Sequence, residues 1–215
     1  MNKFFDPNGL FAQIMNTILN MMLLNAMWML CSIPIITMGA STAALYAVLI
    51  KMRDGEEPRV IRRYFAALKE NWKKASAAWL ALLLAAAICG LDLYFAGQMD
   101  NDIFRIIAVA GLVVIVMTAT FVFPLVARFE NKWSNHLKNA LLLALSHAPR
   151  LLMALALWGG AILLTFFSAN TLYMMVLMWL MAGFSCLSYA TLWILTPVLR
   201  KLEPETQETA GDLME

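Results

Sequence analysis

Charge is scarce in this chain. Asp, Glu, Lys and Arg make up 14% of its 215 residues, against about 25% in soluble domains, and the shortfall excludes a surface that faces water on all sides. Cysteine is scarcer still. Cys31, Cys89 and Cys186 are odd in number and form no CxxC pair, so neither a disulfide framework nor a cysteine metal site is available. HExxH, Gly-x-Ser-x-Gly, a phosphate-binding glycine loop and paired catalytic carboxylates are all missing. His136 and His147 would share a helix face but stand about three turns apart, too far for one metal. The stripe Met174, Met178, Met181 reads as ordinary packing in a chain of 16 methionines rather than as thioether copper ligands. The expectation is a protein that is not an enzyme and carries no metal or cofactor.

What is abundant is oil. Hydrophobic residues are 62% of the chain, well above the roughly 45–50% of soluble domains, and they fall into runs at about 10–33, 35–51, 75–96, 104–127, 151–168 and 172–199. A helix needs about 17–20 apolar residues to cross roughly 30 Å of hydrocarbon. The fold class is therefore an all-α integral membrane protein with about six transmembrane helices in a single membrane domain, 1–201. The second run is short, and five spans plus a re-entrant segment is the alternative. The first run follows one Lys and lacks an A-x-A site, so it is expected to stay as an anchor rather than be cleaved as a signal peptide. Residues 202–215, with Glu203, Glu205, Glu208, Asp212 and Glu215, read as an acidic disordered tail.

Basic residues mark one side. Lys51, Arg53, Arg59, Arg62, Arg63, Lys69, Lys73 and Lys74 crowd the second connection. Arg128, Lys132, Lys138 and Arg150 hold the fourth, and Arg200 and Lys201 follow the last run, whereas 97–103 carries two aspartates and no base. The positive-inside rule places the three basic regions, and with six spans both termini, in the cytoplasm. Two of these regions read as cytoplasmic amphipathic helices. In 59–74, with Pro58 at its start, Ile61, Tyr64, Phe65, Leu68 and Trp72 recur at helical spacing against Arg59, Arg62, Arg63, Lys69, Glu70 and Lys73. That face suits either anionic lipid headgroups or an acidic groove on a protein partner. In 133–147, Trp133, Leu137 and Leu141 oppose Asn135, Lys138 and Asn139. Its apolar second half is expected to be buried, and Pro149 breaks it from the next span.

Polar residues inside the runs are few. Asn16 and Asn20, four apart on one face, point to interhelical hydrogen bonding. Asp92 is the one carboxylate well inside an apolar run, about a turn from its outer end, and intramembrane ionisable groups invite a functional reading. The run is broken at Pro34, which disfavours helix at Ile33, while Gly39 allows a sharp return and Thr37, Ser41 and Thr42 can satisfy the freed backbone groups. This corner reads as a tight hairpin or as the rim of an outer site.

The stretch NAMWMLCSIPIITMGASTAALY, followed by KMRDGE, a YF pair and ENWKKA, resembles the YesL-like family of small bacterial membrane proteins. Asn25, Trp28, Pro34, Thr37, Gly39, Ala40, Lys51, Gly55, Glu56, Phe65, Asn71 and Trp72 carry the likeness, which is good over 1–80 and looser beyond. The resemblance implies a multi-pass protein without an assigned activity, encoded beside carbohydrate ABC importers and sugar-responsive two-component systems. A role as a membrane accessory to carbohydrate uptake or sensing is the expectation. Its partners would be the lipid bilayer and ABC importer or sensor-kinase components, not nucleic acid, with Arg62, Arg63, Phe65, Leu68, Asn71 and Trp72 as docking candidates. A membrane subunit of a transporter, with cytoplasmic coupling helices, is the alternative.

Overall fold

The computed structural model describes residues 10–56, 59–98 and 102–212, the last ten as backbone alone, and all of its regular structure is helical. Helix α1 (Leu10–Ser32) stops two residues before Pro34, and one 3-10 turn, Ile35–Thr37, leads into α2 (Met38–Arg53). There follow α3 (Val60–Gln98), α4 (Asp102–Arg128), α5 (Trp133–Ser146) and α6 (Ala148–Phe166). The last helix starts as α7 (Ala169–Met178), passes through a π turn at Trp179–Gly183, and continues as α8 (Phe184–Asp212). Counting those three pieces as one, the described residues form seven helices, six of them long and apolar enough to cross a membrane.

Local chemistry sets several ends. Pro149 sits in the first turn of α6, where its missing N–H costs nothing. Ser168 caps α7 in a reciprocal capping box with Thr171. After α2 the chain turns at Gly55, whose φ of +80 is open to glycine without strain. Pro58, expected at a helix start, lies outside the described residues, as do 213–215. The helix α8 runs to Asp212, into the stretch expected to be a disordered tail.

Two departures from the sequence reading matter for function. The basic amphipathic segment 59–74 and the span after it are one unbroken helix, α3, of 39 residues. At about 1.5 Å per residue that is roughly twice the hydrocarbon thickness, so part of it must project from the bilayer. Nothing between Val60 and Trp79 is Gly or Pro, and a change from charged to apolar side chains does not interrupt backbone hydrogen bonding. The second departure is in α5: His136, Ala140 and Ala144 face inward, while Leu142 and Leu145 are 62% and 60% exposed. Small side chains let α5 lie close on α4, and leucines turned outward cost little where the surroundings are lipid.

The centre of the molecule is α2, the most enclosed of the six candidate spans. Gly39, Ala40, Ser41, Ala43 and Ala44 are all buried, and small residues let neighbouring helices approach. Its most extensive contact is with α3. Leu24 of α1, Leu45 and Leu49 of α2, Tyr64 of α3, Phe121 and Val122 of α4 and Leu192 and Leu195 of α8 close the core around it.

Candidate functional site

Half of the residues that carried the family likeness, Asn25, Trp28, Pro34, Thr37, Gly39 and Ala40, lie on the α1–α2 hairpin near its corner. Asn25, fully buried, faces the π turn of the last helix. Its Nδ2 donates to the carbonyls of Trp179 at 2.9 Å and Leu180 at 3.0 Å, and its Oδ1 accepts from the Ser185 N–H at 3.2 Å. A π turn shifts the ladder by one residue and leaves carbonyls in need of partners. One amide side chain supplies them. Trp28, a turn further along α1, stacks on Phe184 with ring centroids 3.5 Å apart and donates its indole N–H to Thr42 Oγ1 at 3.1 Å.

The break itself is satisfied from within. The Thr37 hydroxyl lies 2.7 Å from the Cys31 carbonyl and 2.9 Å from that of Pro34, and Trp79 Nε1 donates to Ile35 O at 2.8 Å. Ser41 Oγ donates to Trp28 O and accepts from Ser32, with Tyr64 Oη only 2.7 Å away. Thr42 bonds back to Met38 O. Gly39 does not make the turn: it is helical, and its role is closeness to α3. A Cβ there would stand 2.4 Å from Trp79 Cβ and 2.6 Å from Ala75 O. Outside, Ile33, Ile35 and Ile36 are exposed, so the corner's surface is apolar.

At the basic end Lys51 Nζ and Arg63 Nη2 both grip Glu56, at 2.7 and 2.6 Å. These two bonds hold the Glu56 carboxyl below its ordinary range. The docking candidates on α3 separate. Asn71 is buried, with Nδ2 on Ala67 O at 3.2 Å, Leu68 is half-buried and Arg63 is committed to Glu56. Arg62 is exposed, and Ile61, Phe65 and Trp72 form an outward apolar stripe at 55%, 52% and 48% exposure. Tyr64, assigned to the same face by spacing, turns inward instead, because the side facing α2 is the one that must be filled.

The polar residues expected in the spans contribute less. Asn16 is exposed and Asn20 half-buried, and neither bonds to another helix among the described residues; the interhelical amide is Asn25. Asp92 is exposed on α3. Among the described residues no group of three potential ligands could hold a metal.

His136 was not expected to matter. It is 2% exposed, its Nε2 has no hydrogen-bond partner, and burial together with nearby Lys74 pushes its pKa down. An imidazole with a folded pKa below about 6.5 binds its proton first in the unfolded chain. Stability is then complete above pH 6.5 and falls as the pH drops toward the folded value. Wild-type protein should lose melting temperature between pH 7.5 and pH 5.5, and His136→Leu should lose distinctly less. Equal losses would remove His136 from the pH response.

A bundle with six helices long and apolar enough to cross a membrane defines a multi-pass membrane protein. Residues 21–93 match the family model described as "Protein of unknown function, DUF624". The chain is 27% identical over 148 residues to "Uncharacterized protein YesL" of Bacillus subtilis (strain 168), covering 66% of this chain and 71% of that one. Residues 21–93 are thus similar to that family, and the chain is a distant homologue of that uncharacterized relative. No solved structure matches it.

Proposed function

We propose that this is a non-enzymatic accessory protein of the bacterial cell membrane that docks, through the projecting half of α3, on a component of carbohydrate uptake or sensing. The observation that carries the docking is the outward stripe Ile61, Phe65, Trp72 beside the exposed bases Arg62, Lys69 and Lys73. An apolar strip flanked by positive charge fits an amphipathic acidic face, with aromatic anchors supplying most of the energy. The basic end is taken as cytoplasmic, following the distribution of Lys and Arg. The carbohydrate context rests on the family likeness alone. The alternative, a transporter subunit with two coupling helices, draws less support because α5 lies against α4 with its inward face buried.

Affinity purification in mild detergent tests this reading. An importer subunit or a sensor kinase should co-elute, and Phe65→Ala or Trp72→Ala should each cost about 2 kcal/mol, roughly thirtyfold in affinity, while the protein stays folded. Arg62→Lys should also weaken the complex, since a guanidinium fork is not replaced by an ammonium. Retention of the partner by both aromatic variants would leave the stripe as a lipid anchor. A cysteine at Glu56 labelled from outside intact cells would reverse the orientation.

A further inference from the structure

A cavity of about 620 Å³ opens at the basic end between α2, α3 and α4. Its wall is unusual for its balance of sign. Lys51, Arg63 and Arg128 contribute three cations, and Asp54, Glu70 and Glu130 three carboxylates. Alanines at Ala66 and Ala67 keep part of the wall open. Two polar groups there are incompletely used. Arg63 bonds Glu56 through Nη2, but its Nη1 is shielded from water and has no acceptor. Asn71, 8% exposed, spends Nδ2 on Ala67 O, and its Oδ1 accepts nothing among the described residues.

A shielded donor without an acceptor is costly to leave unmade; Lys51 and Arg63 Nη2 already hold Glu56, and the remaining guanidinium N–H at Nη1 suits an oxyanion. A pure anion, however, would meet three carboxylates on the same wall, and a pure cation three bases. A ligand with both charges meets neither penalty. The volume lies within the range of small-molecule sites.

We infer that this cavity binds a small zwitterion, its oxyanion on the unused Nη1 of Arg63 and its ammonium on the carboxylate side with Asn71 Oδ1. Phosphoethanolamine chemistry meets this description, either as a free solute or as the headgroup of a phospholipid. The inference stands apart from the docking reading, because the cavity and the outward stripe use different faces of α3.

Purified full-length protein in detergent, titrated with phosphoethanolamine and followed by thermal unfolding, tests it. A saturable rise in Tm is expected, with inorganic phosphate or ethanolamine alone giving at most a small part of it. Glu70→Gln changes an exposed side chain and should weaken phosphoethanolamine binding at least tenfold without altering the response to phosphate. Ala66→Leu, also at an exposed position, should fill the cavity and abolish the response. Discs of phosphatidylethanolamine and of phosphatidylglycerol then separate the sources. If added phosphoethanolamine shifts Tm only in phosphatidylglycerol discs, the lipid headgroup is the natural occupant; if it shifts Tm in both, the free solute is. No rise in detergent, a rise equalled by phosphate alone, or titrations unchanged in both variants would each overturn the assignment.

Discussion

Asn25→Leu should destabilise the protein by about 3 kcal/mol, lowering Tm by roughly 6–12 °C for a chain of this size. The size follows from what the amide does. Two carbonyls, of Trp179 and Leu180, and one N–H, of Ser185, lose their partner at once, in a place where Asn25 itself has no exposure. Each buried group left without a bond costs about 1–3 kcal/mol. Interhelical hydrogen bonds in membranes average nearer 0.6 kcal/mol, so about 1 kcal/mol for each of the three groups lies between the two figures. Leucine has a similar volume, so no large cavity adds to the loss. The control is Asn20→Leu, one helix face away, where no bond to another helix is broken and the change should stay within about 0.5 kcal/mol. Equal shifts for the two variants would mean that the π turn does not depend on Asn25.

That pair also shows where sequence reasoning reached and where it stopped. The apolar runs were legible because crossing a bilayer imposes a length and a composition, and six long helices occupy those runs. The corner was legible because Pro34 has a local effect on its neighbour, and two of the three expected hydroxyls, Thr37 and Ser41, bond carbonyls near the end of α1, while Thr42 bonds back within α2. Asn25 stood out only by family likeness. Its partners lie more than 150 positions along the chain, in a π turn that no local pattern announces. Asn16 and Asn20 had the better spacing and the poorer environment.

The α3 segment failed for a related reason. Helical periodicity assigns residues to faces but not faces to neighbours, so Tyr64 and Phe65 shared one apolar side on paper. The structure divides them: Tyr64 is buried beside Ser41, and Phe65 points out. Likewise Arg62 and Arg63 are equivalent by charge, yet only Arg63 reaches Glu56. Whether a basic residue is spent internally depends on the loop after α2 and its turn at Gly55.

Gly39→Ala should be the most costly glycine-to-alanine change among the described glycines, about 2 kcal/mol, and Gly39→Val more. The added Cβ would stand 2.4 Å from Trp79 Cβ and 2.6 Å from the Ala75 carbonyl oxygen. Both belong to the α3 backbone or its first side-chain atom, so no rotamer change relieves them, and α2 must move off α3. Overpacking of this kind costs about 1–3 kcal/mol. Helix propensity works the other way, because Ala is favoured over Gly by about 1 kcal/mol, and the contest is decided by space. Gly160 in α6 provides the opposite case: nothing stands within 4 Å of its Cβ position, so Gly160→Ala should be neutral or stabilising. Displacing α2 would also pull Ile35 O from Trp79 Nε1 and loosen Ser41 from Tyr64. Thermal unfolding of the two variants side by side measures the difference. If Gly39→Ala is as stable as Gly160→Ala, α2 and α3 are not held as close as their contact at Gly39 requires.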